Sequence, residues 1–281
     1  MPFKTQRSRN IKLTLEYDGT GYHGWQIQPD LPTVSGVLEI ALEGLIGSKT
    51  RVIGASRTDA GAHALGQIAN FKTEHPSIPT DKFPRALNSL LPKDVVVTGS
   101  EEVPPDFHAR FSAVDRTYQY LILNRPFPSA LQKRYSHWVP QPLNPEQMRE
   151  VARFLIGRHD FTSFSSSDKD LNNPYRRIKE LRITDSGWQT AGTTSRLESQ
   201  GCPYSPGGFP LFQADGLIRI HIRADAFLPN MIRAIVGTLI EVGQGKRSTY
   251  EVEDILAARD RTLAGPTVPA CGLYLIKVDY V

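Results

Sequence analysis

Residues 56–64 read SRTDAGAHA, and their chemistry rests on one acid, Asp59, placed two positions after one base, Arg57. Along an extended chain, side chains two apart project to the same side, so the guanidinium and the carboxylate face a common space. A neighbouring cation favours the ionised form of a carboxylate. Ala60, Gly61 and Ala62 follow with little or no side chain, which lets a flat ligand come close to the backbone. An ionised, partly desolvated carboxylate in such a setting is a poor general acid and a usable nucleophile. The same residues also suit a tight turn in which an aspartate bonds its own backbone. Local spacing leaves both readings open.

Two more side chains could join such a site. Tyr118 opens the strand-like stretch YQYLI, in which Tyr118, Tyr120 and Ile122 share a face. Tyr120 reads as a core aromatic. Tyr118, at the start of the strand and near Arg116, is either core or a stacking platform for a base, a contact worth roughly 1–3 kcal/mol. Arg233 interrupts the apolar helical stretch MIRAIVG. It either snorkels to the surface or supplies a second cation to Asp59.

Other chemistries find less support. Gly19, Gly21 and Gly24 spell G-x-G-x-x-G after a strand, but Trp25, Gln26, Ile27, Gln28 and Pro29 follow in place of the helix that a dinucleotide fold needs. The histidines, His23, His63, His75, His108, His137, His159 and His221, form no pair at metal-ligand spacing, so no metal site is expected. Neither G-x-S-x-G nor C-x-x-C occurs, and Cys202 and Cys271 read as ordinary thiols. An aspartate-nucleophile hydrolase would need a metal or an acid partner at motif spacing, and the chain offers neither.

The elements that must position these residues are legible in outline. Residues 12–17 alternate as a strand. Val34, Val37, Leu38, Ala41, Leu42 and Leu45 mark a helix with Thr33 as N-cap and Gly47 as stop. Residues 81–91 predict a second helix ended by Pro92, and 95–98 and 117–123 predict strands. Asn144-Pro145 starts a helix that Gly157 closes. Strands are expected at 176–184, 217–224 and 273–280, with a helix from about Met231. Ser248 and Glu251 predict a capping box for a last helix. Residues 189–215, rich in Gly, Pro, Ser and Thr, read as a surface-loop insertion. The order of elements suits an α+β protein: two halves, 1–110 and 111–281, each with antiparallel-rich strands and helices packed on one face.

The composition, 40% hydrophobic and 22% charged, allows a sizeable core. The net charge of +4 suits a polyanionic partner without requiring one. Arg176, Arg177, Lys179 and Arg182 either track phosphates or form a solvated strand face. No apolar run is long enough to span a bilayer, and no apolar stretch follows the basic start as a secretory signal would need. A cytoplasmic protein is expected.

The motifs EYDGTGYHGWQ, RTDAGAHA, DFHARFSA, RTYQY, DAFLPNMIRAIVG and GLYL, in that order, resemble the tRNA pseudouridine synthase A family. Ser56 stands where the family usually has glycine, and Ala62 where it usually has valine. The resemblance implies a pseudouridine synthase fold with an active-site cleft between two similar halves. It implies isomerisation of uridine to pseudouridine at positions 38, 39 and 40 of the tRNA anticodon stem-loop, by a homodimer, with no metal or organic cofactor. It assigns Asp59 as nucleophile and Arg57 as the residue that contacts RNA and helps flip the target nucleotide. Tyr118 then stacks on the uracil and is a candidate proton acceptor, Leu273 packs on the flipped base, and Arg233 pairs with the aspartate. A non-catalytic RNA-binding protein on the same scaffold is the alternative.

Overall fold

The computed structural model describes residues 8–74, 78–166, 173–186 and 215–281. Cys202 and all of the expected insertion except Asp215 lie outside the described residues. Contacts divide the chain into two units. The first comprises Met1–Tyr118, Arg223–Ala226 and Leu273–Val281, and the second Gln119–Ile222 and Phe227–Gly272.

The first unit starts with strand β1, Arg9–Tyr17, which buries Ile11, Leu13, Leu15 and Tyr17 and leaves Lys12, Thr14 and Glu16 more exposed. Helix α1, Val34–Ile46, has the expected ends: the Thr33 hydroxyl accepts from Gly36 N, and Gly47 takes the left-handed conformation at φ 81°. Strand β2, Ile53–Gly54, pairs with β3, His63–Thr73, and β3 runs antiparallel to β1 from Arg9↔Thr73 to Tyr17↔Ala64. The sequence reading placed no element at β3. Most of its residues are buried, Gln67 and Asn70 included, so the polar alternation that marks a half-solvated strand is missing.

Helix α2 covers only Phe83–Asn88, with a 3₁₀ turn over Thr80–Lys82, and corrects the longer helix expected at 81–91. The Asn88 side chain pairs with Val97 by donating to Val97 O at 2.9 Å and accepting from Val97 N at 2.8 Å. That pairing fixes the helix end against strand β4, Val95–Val103, and Leu90 is left exposed. β4 is antiparallel to β1. Strand β5, Ala113–Asn124, begins in this unit. The chain's final strand, β10 (Leu273–Tyr280), pairs parallel with β3 at Tyr274↔His63 and Leu275↔Ala64. The order in this unit is β4-β1-β3-β10.

In the second unit β6, His137–Val139, lies parallel to the later half of β5. Helix α3, Pro145–Leu155, is capped by the Asn144 carboxamide, which accepts from Glu146 N and Gln147 N. It buries Met148, Val151, Ala152 and Leu155. Gly157 does not close the helix as expected. With φ 117° it begins strand β7, Gly157–Asp160. Strands β8, Tyr175–Asp185, and β9, Leu217–Ala224, complete the order β5-β9-β8-β7. Helix α4, Met231–Gly243, is buried along most of its length. Helix α5, Glu251–Ala258, has half of the expected box: the Glu251 carboxylate accepts from Ser248 N at 2.9 Å, while Tyr250 stands at the cap with no side-chain bond. Helices packed with predominantly antiparallel strands make this an α+β protein. Among the described residues no helix is long and apolar enough to cross a membrane.

Candidate active site

The loop between β2 and β3 carries Asp59, and its backbone is held at nearly every position. Ala55 N donates to Ile68 O, and Trp25 N donates to Thr58 O. Gly61 N donates to Tyr22 O, and Ala62 N closes a turn onto Asp59 O. Gly61 sits at φ 80°, in the region that favours glycine. Thr58 is buried and its hydroxyl shares a 2.7 Å hydrogen bond with the Tyr17 phenol. Its neighbours Arg57 and Asp59 therefore project outward, Arg57 exposed and Asp59 half-exposed, as the two-residue spacing predicts.

The glycines that mimic a dinucleotide motif serve this loop instead. A Cβ on Gly24, which has φ 84°, would lie 2.5 Å from Thr58 O. One on Gly19 would lie 1.9 Å from Ala62 O. Both must lack a side chain so that the segment before α1 can lie against the Asp59 loop. Gly21 meets nothing within 4 Å.

Beneath the loop lies a polar network that the sequence reading missed. Gln67, on β3 and fully buried, takes Ser56 by both sides: its carbonyl accepts from Ser56 N at 3.3 Å, and its amide donates to Ser56 O at 2.7 Å. The same amide also donates to the Tyr17 phenol at 3.4 Å. The signal was a carboxamide inside the mostly apolar run ALGQIANF, where a buried polar group must have partners. Arg116 is a second clasp. Its guanidinium donates to Asp225 O at 2.7 Å, Arg110 O at 2.6 Å, Ala113 O at 3.3 Å and Ala55 O at 3.4 Å. It thus ties the start of β5 to the base of the Asp59 loop, and burial pulls its pKa down.

Tyr118 is 4% exposed and shares a 2.7 Å hydrogen bond with the Ser56 hydroxyl. Burial pushes its pKa up to about 12; the Ser56 bond pulls the other way, the Asp59 charge adds to the rise, and Arg116 opposes it. Ser56, three residues before Asp59, thus ties the phenol to the Asp59 loop. Leu273 is 4% exposed at the start of β10, one residue before Tyr274, whose ring stacks on His63 at 4.8 Å. His63 follows the Asp59 loop directly, so Leu273 belongs beside the loop's exit. His63 is a core histidine whose Nδ1 accepts from Gly19 N at 3.1 Å. Burial of Tyr118 and Leu273 is equally what core positions require, and their ring and side-chain faces are covered in this structure.

Arg233 stands in the second unit, in the first turn of α4, where it donates to Val268 O at 2.6 Å and to the Asn230 carboxamide at 2.7 Å. It is half-buried and held by its helix end, not snorkelling freely. On β8, Arg177, Lys179 and Arg182 are exposed. Arg182 pairs with Glu180 at 2.8 Å, and Arg176 donates to Asn173 O and Tyr175 O. Among the described residues no group of three or more His, Cys, Asp or Glu could hold a metal ion.

The fold and the site together define an α+β protein that presents a half-exposed carboxylate from a braced loop whose Ser56 hydrogen-bonds a buried phenol. The model of the tRNA pseudouridine synthase family matches residues 14–112 and 151–281. This chain belongs to that family. It is 43% identical over 272 residues to tRNA pseudouridine synthase A of Thermoanaerobacter sp. (strain X514), covering 97% of this chain and 100% of the relative. Identity and coverage are the same for tRNA pseudouridine synthase A of Acetivibrio thermocellus. It is 40% identical, with the same coverage, to tRNA pseudouridine synthase A 2 of Clostridium perfringens.

Proposed function

We propose that this chain isomerises uridine to pseudouridine in the anticodon stem-loop of tRNA, as a homodimer, with Asp59 as the nucleophile. The observation that supports this best is the braced loop that exposes Asp59 and, through Ser56, hydrogen-bonds Tyr118, in a chain of this family. The target base must leave its stack, which costs a few kcal/mol. Arg57, exposed two residues before Asp59, offsets part of that cost by taking the vacated space or a phosphate. Tyr118 and Leu273 then flank the base, so seating it displaces whatever covers them. Asp59 adds to the ring, attacks the sugar at C1′, or promotes loss of a sugar proton. In each route the N1–C1′ bond breaks, the ring turns, C5–C1′ forms, the C5 proton leaves and N1 gains one. Small residues at 60–62 leave room for the turn.

Asp59→Asn tests the reading. The variant is expected to bind transcribed tRNA within a fewfold of the parent and to form no pseudouridine, measured by nucleoside analysis after incubation with metal-free protein. Pseudouridine formation by the variant would remove Asp59 from the chemistry. Absence of product with the parent protein as well would favour the non-catalytic RNA-binding alternative.

A further inference from the structure

The chemistry leaves a proton to be moved. When C5 joins C1′ it still holds its hydrogen, and the aromatic ring returns only when that hydrogen departs. Tyr118 is placed to receive it, on the reading above that this ring lies against the target uracil, and the present inference rests on that reading. A buried phenol near a carboxylate keeps its own proton at neutral pH, and burial holds that of Tyr118 at about 12. A neutral phenol oxygen can take up a proton only if its own leaves at the same moment. A hydrogen bond of the phenol gives it a path.

That bond goes to Ser56, 2.7 Å away, and either oxygen can donate. A hydroxyl both accepts and donates, so it can pass a proton on without becoming charged. Ser56 is half-exposed whereas Tyr118 is buried, so the serine joins the phenol to water. Its place is fixed: Gln67, fully buried, holds both Ser56 N and Ser56 O. The Gln67 bonds use only the backbone of Ser56, which leaves its hydroxyl to the Tyr118 phenol.

We propose that the Ser56 hydroxyl is the outlet for the C5 proton, relaying it from Tyr118 to solvent. The C5–H bond breaks as a new O–H bond forms on Tyr118. The former phenol proton passes to Ser56 Oγ, and the serine's own proton passes to water. Tyr118 and Ser56 both end neutral and unchanged, and no oxidant, reductant or further reactant is involved. Ser56 is a positioning and relay residue here, acting on substrate through Tyr118.

Ser56→Ala removes only the oxygen, and the residue has no positive φ that alanine would strain. Turnover is measured with tRNA carrying uridine and with tRNA carrying 5-deuterouridine, for the parent protein and for Ser56→Ala. The expected result is a loss in kcat of at least tenfold with KM within about twofold. A primary 5-deuterium isotope effect larger than the parent's is expected with it, because loss of the C5 proton becomes slow. An unchanged kcat overturns the relay. So does a lower kcat without a larger isotope effect, which would give the serine a purely structural part. Asp59→Asn, run alongside, separates the two levels: an active Asp59→Asn protein sinks the nucleophile assignment, whereas an inactive one with normal Ser56→Ala kinetics sinks only the relay.

Discussion

Gln67 shows how much of this site depends on a residue that carries no charge. Its carboxamide forms three hydrogen bonds, two to the backbone of Ser56 and one to Tyr17, in surroundings without solvent. A buried donor or acceptor left without a partner costs about 1–3 kcal/mol. Gln67→Leu keeps most of the volume and removes every polar partner. It is expected to lower the unfolding free energy by about 2–4 kcal/mol in urea titration and to reduce pseudouridine formation in protein that remains folded, because Ser56 loses its seat. Stability within 0.5 kcal/mol (roughly the noise of surface changes) would mean that water takes over these bonds. At this scale the sequence was informative about Asp59 and Arg57, since their spacing alone predicts a shared outward direction. It could not disclose Gln67, whose importance comes from meeting residue 56 across a strand pairing, or the Ser56–Tyr118 bond, which joins positions far apart in the chain. Proximity of that kind is a product of the fold.

Elements with strong local chemistry were legible. Thr33, Gly47 and Asn144 mark helix ends because each satisfies backbone groups within a few residues of itself, and the structure has those caps. Elements whose limits depend on distant partners were not. β3 is sheathed and carries no alternation, and α2 stops where Asn88 turns to pair with Val97. The loop of residues 19–24 lies between these cases. Its glycines were visible, and the loop residues after them excluded a helix-opening phosphate cradle, but the reason for Gly19 and Gly24 was a second loop packed against their α-carbons. Substitutions discriminate these roles. Gly19→Ala forces a methyl group to within 1.9 Å of Ala62 O, against backbone that cannot swing aside, and should destabilise by about 3 kcal/mol or more while displacing the Asp59 loop. Gly21→Ala meets open space and has no positive φ, so its unfolding midpoint should stay within the equivalent of about 0.5 kcal/mol. Equal effects at both positions, followed by thermal unfolding, would argue against close backbone approach as the reason for Gly19.

At the scale of the whole molecule, neither unit is one continuous stretch: residues 223–226 and 273–281 return to pack with the chain's beginning. Local periodicity carries no information about such returns, although it did predict the strands that make them. The same folding buries phenols, and this gives the protein a defined weakness to alkali. Burial raises the pKa values of Tyr17, Tyr118, Tyr120 and Tyr280 above the ordinary tyrosine value of 10.0, Tyr118 to about 12. In the unfolded chain these phenols ionise near pH 10, while in the folded protein they stay protonated. Above pH 10 the unfolded state therefore binds fewer protons than the folded state, and stability falls as pH rises. Below pH 10 both states hold the protons, and this contribution is constant. A rise from 10 to 12 at Tyr118 corresponds to roughly 2 kcal/mol lost by pH 12, since each pH unit between the two values is worth about 1.4 kcal/mol and the folded phenol is itself half ionised there, and the other three add to it. Urea midpoints measured from pH 8 to 12 should be level to about pH 10 and then fall steeply. Tyr118→Phe, which cannot ionise, should fall less steeply over the same interval. Parallel curves for the two proteins would mean that Tyr118 titrates as a solvated phenol, and the burial that makes Ser56 the phenol's link to water would be lost with it.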